Sequence, residues 1–567
     1  NFASTLSGLR LGKENNTQSI TTSSAISIAG PVSLYGAGIA INNNIDTRAG
    51  GLSGDVLVKS SVDILLAPTK FIKTTGGDVV LWSNSDAQKT DGTILLSNGS
   101  SVATGSGHVW LGGGSGSTSW NGLTVGDGYA VPNTNAITSA SGSLRAGVIF
   151  DVSSVQTSGG NIAVNAMSGT TTIGAISTHG VNTLDAGNGT IYIKTRNIDN
   201  AGRGLLTGMY NSTVAAQTTF KSTHAGSDAI VIDVDVSNGL ATGLGTSVEG
   251  NTRILAPNGD ISITSIAAAG QSGLRMGFST TSTGTLQVLS NSGDILLNTG
   301  TTSIETANAS STITLGYVTG DALVPSSSSN IKFVSDKFSS NGALVFNTSG
   351  TLVIEPFSQS FSTDFNTSSL NYSSDLSGLT LGKLGNTSGV TIGSTTTIAG
   401  PVSVYGGAVA INAPIISTGT VTLKGSTITD GASGYISADK LALLGGAVTL
   451  DHTSNNINTL AASGVSALTF VDSNTLSVDT VGATVGISAT GDVRVDTLTG
   501  DLTVAQNVST TSATSNAVWF NAGKSAATGT TTGGNVLITG PPTITAGAGG
   551  TIRLMTGSVS GSTGLTS

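Results

Sequence analysis

A five-residue unit recurs along this chain and limits what it can fold into. The unit is a Gly, then Asp, Asn or Thr, then a short run in which Val, Ile or Leu alternate with other residues. It reads Gly54-Asp55-Val56-Leu57-Val58, then Gly77-Asp78-Val79-Val80-Leu81, then Gly160-Asn161-Ile162-Ala163-Val164. It returns as Gly189-Thr190-Ile191-Tyr192-Ile193, Gly259-Asp260-Ile261-Ser262-Ile263, Gly293-Asp294-Ile295-Leu296-Leu297 and Gly534-Asn535-Val536-Leu537-Ile538. Glycine tolerates positive φ at a sharp corner, and Asp or Asn bonds backbone nearby. The alternation that follows is that of a strand with one face inward. Strands this short bury little alone and gain stability by stacking on equivalents above and below.

Two topologies use such strands: antiparallel sandwiches in series and a parallel solenoid. Sandwiches predict regular hairpin signals and a domain period near 100 residues. Here Asn-Gly turns are few and the spacing of the unit varies. Helical periodicity is essentially absent, which removes βαβ folds. The expectation is an all-β, right-handed parallel β-helix (β-solenoid), elongated, with rungs of about 20 residues rising about 4.8 Å each. Val56 and Val58, Ile191 and Ile193, Ile261 and Ile263, and Val536 and Ile538 should point inward. Leu57, Tyr192, Ser262 and Leu537 should face outward.

Composition supports one repetitive architecture. Only 9% of the 567 residues are charged, against roughly 25% in ordinary domains. Mean hydropathy is nevertheless +0.21, unlike the low-hydrophobicity profile of disordered chains. A net charge of −9 argues against a nucleic-acid partner. No apolar run reaches the roughly 18 residues of a membrane helix. The absence of cysteine removes disulfides and thiolate metal sites.

A second repeat is longer. Leu6-Ser7-Gly8-Leu9-Arg10-Leu11-Gly12-Lys13 returns as Leu376-Ser377-Gly378-Leu379-Thr380-Leu381-Gly382-Lys383. Ile28-Ala29-Gly30-Pro31-Val32-Ser33-Leu34-Tyr35-Gly36 returns as Ile398-Ala399-Gly400-Pro401-Val402-Ser403-Val404-Tyr405-Gly406. The offset is constant at 370 (376 − 6, 401 − 31), and Asn1-Phe2 matches Asn371-Tyr372. Residues 1–370 therefore read as one long unit and 371–567 as a second, incomplete one. The shared residues are mostly Gly, Pro and apolar, which are architectural. Neither end shows a capping element, so both ends are expected to continue into more of the same fibre, covalently or end to end.

These motifs carry a family resemblance. Leu-Gly-Lys, then a Thr/Ser/Asn stretch, then Ala-Gly-Pro-Val-Ser-Val-Tyr-Gly-Gly and Ala-Ile-Asn resemble the giant repetitive surface proteins of Gram-negative bacteria. These are the filamentous-haemagglutinin-like β-strand repeat proteins with MBG or YDG modules. Gly533-Gly534-Asn535-Val536-Leu537-Ile538 and Gly557-Ser558-Val559-Ser560-Gly561 are similar to them too. The resemblance implies a right-handed parallel β-helix, secretion to the cell surface or beyond, and a role in adhesion or surface structure. The family's Asn-Pro-Asn secretion motifs are approached only by Ala256-Pro257-Asn258-Gly259, so the piece resembles shaft rather than secretion domain.

Candidate chemistry is sparse. Asp233 and Asp235, near Asp228, sit two apart in a strand and so share a face. β-Helix lyases and hydrolases use outward carboxylates of this kind for calcium or acid–base work. The alternative is the ordinary outer face of a strand. Asp492, Asp496 and Asp501 form a second row, with turn capping as the ordinary role. His108, His179, His224 and His452 are scattered without metal-ligand spacing, and neither a metal nor a cofactor is expected. Trp82, Trp110, Trp120 and Tyr129 cluster in the first repeat, where they either stack on a sugar ring or pack as core. The expected function is a non-catalytic structural or adhesive shaft segment. Its partners would be further fibre copies and surface glycans. The rivals are a carbohydrate-active β-helix enzyme and a phage or pilus-like fibre.

Overall fold

The computed structural model describes residues 2–565 except 87, 89, 140, 170–173, 198–201, 210–215, 239–242, 278–282, 528–529 and 531–532. The chain forms two compact units, Asn1–Thr348 and Ser349–Ser567. The opening motif of the second long repeat falls inside the second unit. Among the described residues the structure is strand and turn, with two single-turn 3-10 segments and no α-helix.

In the first unit each rung contributes one strand to each of three parallel sheets. Leu9–Leu11, Ile20–Thr22 and Ile26–Ser27 make the first rung, and Val32–Gly36, Ile39–Ile41 and Ile45–Asp46 stack on them in register. The second sheet runs through eleven strands, from Ile20–Thr22 to Lys337–Ser340. This is a parallel β-solenoid. Its rungs are longer and less even than the sequence pattern suggests. Leu9 pairs with Val32, Ile191 with Ile230 and Val109 with Ile162, and each of these steps is longer than the one before. Corners absorb the variation, because only the paired strand residues must keep register.

The step from Val109 to Ile162 houses two antiparallel hairpins. Val109–Trp120 leaves its sheet and returns as Leu123–Gly128. Asn121 and Gly122 at the tip have φ of 47° and 81°, the positive pair that a two-residue hairpin turn requires. Ile137–Ser139 and Gly142–Leu144 make the second hairpin.

In the second unit the strands fuse around the corners. Ile436–Leu450 pairs successively with Ile415–Ser417, Thr420–Lys424 and Thr427–Asp430. It then lies parallel to Asn456–Asp472 along most of its length.

The alternation holds as the sequence implies. Val56, Val58, Ile191, Ile193, Ile261, Ile263 and Val536 are buried, while Leu57, Tyr192, Ser262 and Leu537 are half-buried on the outer face. Ile538 departs from expectation and is only half-buried. Beyond its strand, Val536–Ile538, the described pairing is a single bridge, Leu537 with Thr563, so little covers it.

Gly534 has the positive φ expected of a corner, 76°, but the glycines of the first unit serve a different purpose. Gly54, Gly77, Gly107, Gly160 and Gly189 do not have positive φ. They sit directly over one another. A Cβ on Gly77 would stand 2.4 Å from the Gly54 carbonyl oxygen, one on Gly107 2.2 Å from that of Gly77, and one on Gly160 2.0 Å from that of Gly107. The backbones stack too closely for any side chain. Asp and Asn also reach further than their own turn. Asp55 Oδ1 accepts from the Asp78 N–H (2.9 Å), Asp78 Oδ1 from His108 (2.6 Å), and His108 Nδ1 from Asn161 (2.8 Å). Asn161 Oδ1 then accepts from the Thr190 N–H (2.9 Å). Inside the same corner, buried Thr74, Thr104 and Thr157 donate their hydroxyls to the carbonyls of Gly77, Gly107 and Gly160, three residues on. A buried hydroxyl is thereby satisfied in an apolar interior.

Gly160→Ala should therefore lower stability by about 2–3 kcal/mol through overpacking, whereas Asp55→Asn, which keeps the acceptor, should be nearly neutral. Denaturant unfolding of the two variants checks this. Equal effects would show that close approach does not fix the corner.

Candidate functional site

Trp110 lies on the outer face of its strand, between inward Val109 and Leu111, yet it is only 1% exposed. The returning hairpin strand covers it. Trp82, Trp110, Val80, Val125 and Ala163 form a satellite core outside the solenoid interior. The Trp82 and Trp110 rings meet edge to face, 6.4 Å apart. Trp82 Nε1 donates to the Gly114 carbonyl at 2.7 Å, and the Lys59 ammonium stands 3.9 Å from the Trp82 ring centre. Trp82 and Trp110 thus present no open face on which a sugar could stack. Trp120 and Tyr129 are half-buried. The Trp120 ring lies against His108, centroids 5.6 Å apart.

The acidic candidates hold structural positions. Asp233 and Asp235 share the outer face of Ile230–Asp235. Asp233 accepts a two-pronged contact from the Arg196 guanidinium of the preceding rung, at 2.7 and 3.2 Å. Asp235 caps its own turn through the Ser237 N–H (3.0 Å) and hydroxyl (2.6 Å). Asp228 sits in the preceding turn with φ of 62°. Asp492 accepts from the Ser512 and Thr514 hydroxyls, and Asp501 from the Asn535 N–H. The Asp496 side chain is fully buried between Arg494 (2.8 Å) and Lys524 (3.0 Å). His179 is buried, and that burial pushes its pKa down to about 4. No group of three or more His, Asp or Glu suited to a metal ion occurs among the described residues.

A feature that sequence reading missed is a cleft present in both units. In the first unit it measures about 280 Å³ and is lined by Lys13, Asn16, Thr17, Tyr35, Lys59 and Ser61, among others. In the second it measures about 330 Å³ and is lined by Lys383, Asn386, Thr387, Tyr405, Lys424 and Ser426, among others. The scaffolds match. Asn16 Nδ2 donates to the Tyr35 carbonyl at 3.0 Å, and Asn386 Nδ2 to that of Tyr405 at 2.9 Å. Gly12 and Gly382 have φ of 78° and 77°, and a Cβ on either would strike the same tyrosine carbonyl. Tyr35 pairs in register with Lys59, and Tyr405 with Lys424. Lys13, Asn16, Thr17 and Tyr35 return at the offset of 370. The signal was therefore in the sequence, but only rung stacking shows that these residues face one another.

A further buried acid lies outside both clefts. Asp472 ends the long strand Asn456–Asp472 and accepts the N–H groups of Ile457 and Asn474, each at 2.9 Å. Burial raises its pKa to about 7 against the opposing pull of those two bonds.

Comparison with known proteins returns no match: no family model, no curated protein and no solved structure is significantly similar to the chain.

The folded-state pKa of Asp472 lies above the unfolded value of about 3.9, so the folded chain holds this proton more tightly. Its contribution to stability is complete below about pH 4 and is lost as pH rises through about 7. Hydrogen-exchange protection of the strand Leu476–Val478, corrected for intrinsic rate, should fall between about pH 4 and 7 and level off above. The fall should be shallower in Asp472→Asn. Identical profiles would remove Asp472 from this role.

Proposed function

We propose that the chain is a structural and adhesive shaft segment of a secreted or cell-surface bacterial fibre, of the filamentous-haemagglutinin-like kind. The carrying observation is how the outward charges are used. Asp233 is taken by Arg196, Asp185 by Lys221, Asp321 by Arg253 and Asp496 by Arg494 and Lys524. Arg494 shares the strand of Asp496, but the other partners lie on different rungs and fasten them together. A β-helix hydrolase or lyase instead needs two or more carboxylates converging on one groove; Asp233 and Asp235 are committed to an ion pair and a turn, and the two carboxylates that line one cleft, Glu14 and Asp86, stand there with Lys13 and Lys59.

The mechanism of such a shaft is geometric. The ladder bonds run between rungs, the apolar interior supplies stability, and the outer side chains remain free to vary. Further copies of the fibre and surface glycans are the partners this reading implies.

Antibodies raised against the chain should label the exterior of intact producing cells, and the purified protein should release no product from polysaccharides. Label confined to the cell interior would overturn the fibre reading. Cleavage lost in Asp233→Asn would establish the enzyme instead.

A further inference from the structure

The cleft of the second unit holds a cation without a partner. Lys424 is half-buried, and its ammonium makes no ion pair or hydrogen bond among the described residues. Lys383 is already engaged, donating to the carbonyls of Pro356 and Phe357 at 2.9 and 3.0 Å. No carboxylate lines this cleft. The first unit differs. There Glu14 and Asp86 line the cleft together with Lys13 and Lys59, and Leu384 stands where the first repeat has Glu14. One polar frame thus carries balanced charge in one unit and net positive charge in the other.

Duplication would by itself carry Lys383, Asn386, Thr387 and Tyr405 into the second unit. The lysine of the next rung says more. Val32 pairs with Val56 in the first unit and Val402 with Val421 in the second, and the second of these steps is the shorter. Lys59 and Lys424 consequently do not stand at the offset of 370, yet each pairs with the cleft tyrosine. Ser61 and Ser426, two positions further on, follow them into the cleft. The rung length changes while lysine and serine keep their places beside the tyrosine. The corner fold does not require this, because half-buried outer positions of the ladder accept many residue types.

We infer that the second unit's cleft binds a carboxylate-bearing saccharide. Tyr405 supplies a partly exposed aromatic surface for a pyranose ring. Lys424 meets the carboxylate in a site where the charge is uncompensated. The exposed Thr387 and Ser426 hydroxyls donate their protons to Ser360 Oγ (3.3 Å) and the Gly407 carbonyl (2.6 Å), and their lone pairs accept from ring hydroxyls. The volume of about 330 Å³ lies at the small end of ligand sites, which span roughly 300–1,000 Å³, and suits one or two sugar rings. The inference deepens the adhesive reading and depends on it only for the use to which binding is put.

The full chain should be titrated calorimetrically at low salt with trigalacturonate, with galactotriose and with inorganic phosphate. Trigalacturonate should bind at least about fivefold more tightly than galactotriose. Lys424→Gln should weaken trigalacturonate about fivefold or more, as loss of a charge-assisted contact does. Lys424→Arg should retain most of the affinity, and Lys59→Gln in the charge-balanced cleft should leave it unchanged. Lys424 is an outer residue, so these variants should keep the fold. Equal binding of acidic and neutral trimers, an unchanged Lys424→Gln, or no heat at millimolar sugar would each overturn the inference. Phosphate binding as tightly as trigalacturonate would reduce the cleft to a simple anion site and overturn the saccharide assignment. Trigalacturonate binding by a chain confined to the cell interior would keep the cleft and discard the fibre.

Discussion

Backbone contact at the Gly corners is the constraint on which the rest of the first unit depends. Gly77 lies so close over Gly54, and Gly160 over Gly107, that a single methyl group would collide with a carbonyl oxygen. A corner this tight fixes where each following strand begins. A one-residue slip would turn every buried Val and Ile outward, so the corner also fixes which residues form the core. Two further contacts secure it. Asp, Asn or His accepts one N–H from the next rung, and a buried Thr satisfies the corner carbonyl from inside. The chain can therefore be poor in charge and lack cysteine and still specify one register.

The same stacking decides how side chains meet. Residues adjacent in space are a rung apart in sequence, so charge is neutralised across rungs, as Lys221 does for Asp185 and Arg196 for Asp233. Outward aromatics are covered when the chain makes an excursion, as the hairpin Val109–Gly128 covers Trp110. The clefts follow this rule as well. Each combines a Leu-Gly-Lys turn with a tyrosine one rung later and a lysine one rung after that.

Much of the fold was legible because its signals are local. Gly-Asp-Val-Leu-Val states the corner, the alternation and the inward face within one short unit. The role of the glycine was not legible, because close approach to another rung and positive φ select the same residue. Rung length was hidden too, since corners tolerate insertions of any size that returns the chain to register. Of the site candidates, Asp233 and Asp235 do share a face, as period-two spacing requires. Sequence could not show that Arg196, a full rung earlier, would occupy one of them. The cleft escaped for the same reason. Lys383, Tyr405 and Lys424 each lie on a different rung, and no motif of fixed spacing links the two copies of the final lysine.

In-register parallel stacking is the claim that supports core, corners and cleft together, and a disulfide test reaches it most directly. The chain has no cysteine of its own. Ser403 and Thr422 pair in register on the outer face of neighbouring rungs beside the second unit's cleft. Parallel strands lie about 4.8 Å apart, within the span a disulfide bridges. Oxidation of the double variant Ser403→Cys, Thr422→Cys should close the bridge rapidly. Ser403→Cys with Leu423→Cys, whose side chains point to opposite faces, should not close. Efficient closure of the second pair, or failure of the first, would contradict the register on which the account rests.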